Sequence, residues 1–281
     1  MARGEPSARD WLSFRRDPET GIESIRAHST GHAYDPHDHD DFLVGITERG
    51  VQEFQCRGHV HISTPGRVIL IEPGEPHDGN SPSEAGFTYA MLYLPRNLLA
   101  ARSDELRELG GPTAPLGFRH TLADDSRLAE AVRSAFLALH GGEGRLARDL
   151  GIQGLAERLR GHVLPGRTGR GKVDAVAARA RDVLHAHFPE DIGLEELASL
   201  SGVDRFRLNR VFGAAFGVSP HAYLVRLRLK AARRLLAKGE TPAAVAAEVG
   251  FADQSHLGRW FRRAYGMTPA AYRSGRTNVP D

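Results

Sequence analysis

The spacing of apolar and polar positions changes character twice along the 281-residue chain. Between residues 21 and 94 the apolar runs are short, and Gly50, Gly58, Pro65-Gly66, Pro73-Gly74 and Gly79 interrupt them. Strands are expected at 21–27, 41–47, 52–56, 60–62, 67–72 and 87–94. Short strands at this spacing make a sandwich or a small barrel. After Pro95 the spacing becomes helical, with helices expected at 98–109, 128–140 and 146–164. Asp124 or Asp125 is placed to cap the second of these. Residues 166–172 read Gly-Arg-Thr-Gly-Arg-Gly-Lys, a linker by composition. Beyond them everything reads as helix. Ser219-Pro220, Thr241-Pro242 and Thr268-Pro269 mark helix starts, since the hydroxyl accepts from a free N–H and Pro has none to leave unpaired. One long helix is expected from 220 to 238.

The helical third repeats itself. Phe212-x3-Phe216-Gly217-Val218-Ser219-Pro220-x2-Tyr223 returns as Phe261-x3-Tyr265-Gly266-Met267-Thr268-Pro269-x2-Tyr272. Each copy is preceded by an apolar–Ala pair and a glycine four residues after the Ala: Leu197-Ala198 to Gly202, and Val245-Ala246 to Gly250. Two copies of helix, Gly-containing turn and helix suggest paired helix-turn-helix units, at about 194–215 and 242–265. In the first, Asp204 caps a helix whose stripe Leu208, Phe212 and Phe216 faces the core. Arg205, Phe206, Asn209 and Arg210 lie opposite. In the second, Asp253 is the cap and Leu257, Phe261 and Tyr265 the buried stripe. Gln254, Ser255, His256 and Arg259 then point outward, and Arg262 and Arg263 follow toward the helix end. Arg pairs bidentately with guanine and Asn with adenine, while an aromatic ring packs on a thymine methyl. A polar face on one helix is usually just solvated; two such faces in a repeated basic domain favour DNA.

Charge points the same way. The whole chain carries a net +2. From Arg170 onward there are 18 Lys+Arg against 11 Asp+Glu, a net of +7, and the remainder has 19 against 24, a net of −5. One basic end suited to a polyanion follows, although a solvated Arg-rich surface has the same composition. A single cysteine, Cys56, excludes an intrachain disulfide and fits a reducing compartment. No apolar run approaches the ~20 residues of a membrane span, and residues 1–10 lack a signal-peptide core. The chain is expected to be cytoplasmic, with no membrane contact.

From about Val176 to Arg276 the chain resembles the DNA-binding domain of AraC/XylS-type bacterial regulators. The supporting motifs are Leu197-Ala198, Phe206-Arg207-Leu208-x3-Phe212, Gly217-x-Ser219-Pro220-x2-Tyr223, Arg228-x2-Ala231-x3-Leu235, Val249-Gly250-Phe251 and Gln254-Ser255-x-Leu257-x3-Phe261. The resemblance implies two units, joined by a long helix, in successive major-groove segments of double-stranded DNA. It places base contacts on Phe206, Asn209, Arg210, Gln254, Ser255, His256 and Arg259. It also implies a homodimer and names RNA polymerase as a further candidate partner.

A second constellation lies upstream: His37-Asp38-His39-Asp40, then His77 in Pro73-Gly74-Glu75-Pro76-His77. Over residues 20–95 this resembles the two motifs of the cupin barrel, in which two His, a Glu and a later His hold a metal. The acidic ligand expected after the His pair falls at Val44. Three His still suffice for zinc chemistry. A small-molecule pocket lined by His37, His39, Glu75 and His77 ranks ahead of a hydrogen-bonding structural role and of a metal, so no metal and no cofactor are assigned.

The expected architecture is therefore multidomain α+β. A cupin-like β-barrel with a helical connector occupies 1–165, a linker 166–172, and an all-α DNA-binding domain 173–281. The expected function is an AraC-type transcriptional regulator controlled by a small-molecule effector. No catalysis is expected, because no Walker-type phosphate loop and no Gly-x-Ser-x-Gly elbow occurs. The rival is a cupin metal sensor or metalloenzyme fused to a DNA-binding module.

Overall fold

The computed structural model describes residues 10–98, 116–165 and 174–279. The linker at 166–172 and the expected helix at 98–109 lie almost wholly outside them. Contacts divide the chain into two compact units, one of Met1–Thr168 with Ala264–Gly266 and Gly275–Asp281, the other of Gly169–Arg263 with Met267–Ser274.

The first unit is built on strands β1 (Trp11–Arg16), β2 (Glu23–Ser29), β3 (His32–His37), β4 (Phe42–Gly50), β5 (Gln52–Cys56), β6 (His59–Ser63), β7 (Val68–Ile71), β8 (His77–Asn80), β9 (Phe87–Leu94), β10 (Leu116–Phe118), β11 (Leu122–Ala123), β12 (Val163–Pro165) and β13 (Arg276–Val279). They form a seven-stranded sheet in the order β11-β7-β4-β9-β2-β1-β13, a four-stranded sheet in the order β3-β8-β5-β6, and the pair β10–β12. The cupin-like expectation is met by two sheets facing each other rather than by one closed ring. Helices α1 (Ser126–Gly141) and α2 (Arg145–Leu159) pack on the outer face of the larger sheet.

 The second of these ends at Leu159, where a 3-10 turn (Arg160–His162) leads into β12, so the helix expected over 146–164 is shorter than its apolar pattern suggested. Asp125 caps α1, its carboxylate accepting from the N–H groups of Arg127 and Leu128.

β7, β9 and the first six residues of β4 are buried on both faces, which is why they read as largely apolar runs. Side chains alternate across a strand. Phe42, Val44, Ile46, Val68, Leu70, Ala90, Leu92 and Leu94 join the core under α1 and α2. Leu43, Ile69, Ile71, Tyr89, Met91 and Tyr93 turn the other way, toward the four-stranded sheet. β1, β3 and β8 escaped the sequence reading because each is interrupted by polar residues. The strand Arg276–Val279 corrects the expectation of helix throughout the C-terminal third: it pairs antiparallel with β1.

The second unit is helical: α3 (Ala175–His187), α4 (Leu194–Leu200), α5 (Arg205–Phe216), α6 (Pro220–Ala237), α7 (Pro242–Glu248), α8 (Gln254–Tyr265) and α9 (Pro269–Arg273). Ser219, Thr241 and Thr268 each cap a helix with Pro in its first turn, as their dipeptides predict. Ala180, Leu184, Leu197, Ala198, Leu208, Phe212 and Leu224 form one buried cluster, which ties α4 and α5 to α3 and α6. The Arg228 guanidinium of α6 donates to the Phe188 carbonyl at 2.7 Å and the Glu190 carbonyl at 2.8 Å, fixing the connection between α3 and α4.

Candidate DNA-reading helices and sensor pocket

Each candidate reading helix starts at an aspartate. Asp204 accepts from the N–H groups of Phe206 and Arg207, both at 2.9 Å. Asp253 accepts from His256 N–H at 2.6 Å. The Arg207 amide in the first case, and the His256 amide in the second, hold these carboxyls below the usual aspartate range, because the ionised form accepts better. The caps thereby anchor the first turn of each helix.

On α5, Leu208 and Phe212 are fully buried, and Arg205, Phe206, Arg207, Asn209 and Arg210 are exposed. Phe206 is 73% exposed, unusual for so large an apolar side chain in a helix that otherwise buries its aromatics. Arg205 is engaged within the protein: it donates to Glu195 of α4 at 2.6 Å and lies 4.9 Å over the Phe206 ring. Arg210 is exposed, with no ion pair or side-chain hydrogen bond among the described residues. Arg207 joins this surface although sequence reasoning used it only as part of a motif. Its place three residues before Arg210 was the available signal.

On α8, Gln254, Ser255, Arg259, Arg262 and Arg263 are exposed while Leu257 and Phe261 are buried. His256 is half-buried. Its Nε2 accepts from the Trp260 indole N–H at 3.0 Å, and its ring meets Phe251 edge-on at 5.3 Å. That side chain is thus occupied inside the unit, unlike its neighbours. Arg263 lies 5.2 Å over the Trp260 ring.

In the first unit His37, His39 and His77 are buried and lie together, with one nitrogen of each within 4.8 Å of the others. Pairing of β3 with β8 sets His37 directly opposite His77. Glu75 contributes differently from the expectation: its backbone carbonyl accepts from His77 Nδ1 at 3.1 Å, and its carboxylate is no part of the three-ring cluster. His37 and His77 border a cavity between the two sheets, lined also by Tyr34, Gln52, Tyr89 and Tyr93. Its volume is about 20 Å³, room for little more than one water. Gln52 donates to the Tyr34 hydroxyl at 3.1 Å. Burial pushes the Tyr34 phenol well above its ordinary value, and burial followed by the Glu75 charge pushes the Cys56 thiol up to about 12. Both stay neutral at physiological pH. Sequence reasoning missed Tyr34, Gln52 and the Tyr89-x-Met91-x-Tyr93 alternation, a period-2 signal hidden inside an apolar run.

Residues 19–159, half of the chain, match a family model described as the AraC-like ligand binding domain. Residues 197–275 match one described as a helix-turn-helix domain. The chain belongs to the AraC family. It is an AraC-type transcriptional regulator with a ligand-binding domain followed by a helix-turn-helix DNA-binding domain. Among its relatives, the HTH-type transcriptional regulator YbfI of Bacillus subtilis (strain 168) is 25% identical over 248 residues, covering 87% of this chain and 89% of that protein. The transcriptional activator RhaS of Salmonella paratyphi A is 26% identical over 261 residues, covering 88% and 90%. The fold resembles the solved structure of ToxT from Vibrio cholerae, with a TM-score of 0.52 at 11% identity over 92% of this chain and 99% of that one. In this AraC-family chain no helix among the described residues is long and apolar enough to cross a membrane.

Proposed function

We propose that this regulator reads DNA with two side-chain rows, Arg205, Phe206, Asn209 and Arg210 on α5 and Gln254, Ser255, His256 and Arg259 on α8. Arg262 and Arg263 meet phosphates. The observation that carries this reading is the exposure of Arg205, Phe206, Asn209 and Arg210 on α5 and of Gln254, Ser255 and Arg259 on α8, opposite the fully buried Leu208, Phe212, Leu257 and Phe261; Phe216 and Tyr265, expected in the same buried stripes, are only partly buried. The 18-residue helix α6 joins the two units. At ~1.5 Å per residue it is a rod of about 27 Å, stiff enough to hold them in register.

A small-molecule effector bound between the sheets, beside His37, His39, Glu75 and His77, controls the DNA-bound state. A metabolite-sized ligand outgrows the present cavity, since such sites occupy roughly 300–1,000 Å³. Binding therefore requires the sheets to part, and that differential fit is what shifts the equilibrium. The regulator acts as a homodimer through α1 and α2, whose Leu137, Leu146 and Leu150 are 63%, 74% and 61% exposed. It works in the cytoplasm, contacts RNA polymerase and catalyses no reaction.

Selection of bound duplexes from a random library by purified full-length protein tests the reading. Enrichment of a sequence with two separated blocks of preferred bases is expected. Recovery of duplexes no tighter than random DNA at physiological salt would sink it.

A further inference from the structure

Gln52 opens β5 with only 1% of its surface exposed. Its amide is half satisfied. Nε2 donates to the Tyr34 hydroxyl at 3.1 Å, whereas Oε1 is buried with no hydrogen-bond partner among the described residues. A buried carbonyl oxygen left alone is costly, so this position favours an occupant that donates to it. The Tyr34 ring at the other end of the amide is seated by a small residue. Gly79 lies opposite it in the β3–β8 ladder, and a Cβ there would strike the ring. Tyr89, buried on β9, lines the same cavity, and its hydroxyl makes no hydrogen bond among the described residues.

Charge narrows what such an occupant can be. Among the described residues, no Lys or Arg lines the cavity. Burial, and after it Tyr89, Tyr93 and Asp78, push the Tyr34 phenol well above its ordinary value, and burial does the same to Tyr89. A space that resists a phenolate of its own resists a carboxylate or phosphate placed beside it for the same reasons. A hydroxyl meets no such opposition, and it both donates and accepts.

We propose that Gln52, with Tyr34 and Tyr89, seats the hydroxyl of an uncharged ligand that has an apolar body. The ligand O–H donates to Gln52 Oε1, and its oxygen accepts from the Tyr89 hydroxyl. Leu43, Phe54, Ile69, Ile71 and Met91 wall the rest of the cavity and take the apolar body. Met91 lies over Gly45, where an added Cβ would fall 2.6 Å from its Sδ. Its unbranched chain is the one best able to yield as the sheets part. That this ligand is the effector rests on the regulator reading above; the seat itself does not.

Three probes share one apolar ring and differ in head group: cyclohexanol, cyclohexanecarboxylate and cyclohexylamine. Each is titrated against full-length protein, and saturation-transfer NMR follows binding. Saturable binding of cyclohexanol is expected, at least tenfold tighter than that of the carboxylate or the amine. Gln52→Met and, separately, Tyr89→Phe should each weaken it about fivefold, the worth of one ordinary hydrogen bond. Gln55→Met, on the exposed side of β5, should leave it unchanged. No saturable cyclohexanol binding at tens of millimolar, equal or tighter binding of the carboxylate or the amine, or unchanged affinity in either the Gln52 or the Tyr89 variant overturns the seat. Should Gln52→Met fail to fold, Tyr89→Phe decides. Duplex selection on the same preparation separates the two readings. Cyclohexanol bound by a protein without sequence preference sinks the regulator reading and leaves the seat standing. Sequence preference with no saturable cyclohexanol binding does the reverse.

Discussion

Truncating Arg210 and Arg259 is the sharpest test of the reading rows. Both side chains are exposed, and neither takes part in an ion pair or side-chain hydrogen bond among the described residues. Their guanidinium groups can therefore be committed to a base edge without breaking a bond in the protein. A good bidentate contact discriminates by about 1–3 kcal/mol, which is roughly 5- to 150-fold in affinity. The two residues stand on separate helices with no shared partner, so the double variant should lose about the sum, ~2–6 kcal/mol. Arg205 and His256 supply the contrast. Arg205 is already bonded to Glu195 at 2.6 Å, and His256 is held by Trp260 at 3.0 Å. Either must give up an internal bond to reach DNA, so Arg205→Ala and His256→Ala should each lose less than Arg210→Ala or Arg259→Ala. The assay is fluorescence anisotropy on a selected duplex and on variants carrying one changed base pair. Arg210→Ala and Arg259→Ala should each relax preference at one position, in different halves of the site. Unchanged affinity in both, or a larger loss in Arg205→Ala and His256→Ala, refutes the assignment of the outward faces.

Arg262→Ala should weaken all duplexes about equally and lower the slope of log affinity against log salt by about 1, the mark of a lost phosphate contact; a change confined to one base position would contradict that role. Gly250→Ala should destabilise the helical unit by more than about 1–2 kcal/mol, the left-handed penalty alone, because φ is +86° and the new Cβ would collide with the Pro189 carbonyl oxygen. Gly213→Ala, inside α5 with nothing within 4 Å, should instead stabilise it by about 0.5–1 kcal/mol, and thermal denaturation of the full chain checks both signs. Asp17→Asn should lower the melting temperature at neutral pH. Asp17 is buried, and although burial opposes its ionisation, Thr20 and Arg148 outweigh that and hold its carboxyl below the usual range. A depressed folded-state value means the stability is present above the unfolded aspartate value, about 3.9, and is lost as pH falls through the folded one. The gap between wild type and variant should therefore close only in acid; a constant gap from neutral to strongly acid pH would refute the ionic origin.

Local chemistry makes the helical third legible from the sequence alone. A cap, a proline at the first turn and a buried stripe at i, i+4 act within one or two turns of helix, so Asp204, Ser219, Thr241, Asp253 and Thr268 could be assigned from neighbours alone. The repeat then implied that two such units share one architecture. Even there one assignment needed depth. His256 and Trp260 are four residues apart and so adjacent on the helix, yet which of them pointed outward depended on Phe251, packed from outside α8.

The β-rich half was less legible because its decisive contacts are distant in the chain. An unbroken run such as Phe87–Leu94 announces burial on both faces and says nothing about which face meets α1 and which the cavity. Only the pairing of β9 between β4 and β2 settles that. The three histidines show the same division. Their side-chain chemistry was plain from residue type, whereas their convergence comes from the antiparallel pairing of β3 with β8 across some forty residues of sequence, which composition and spacing do not encode.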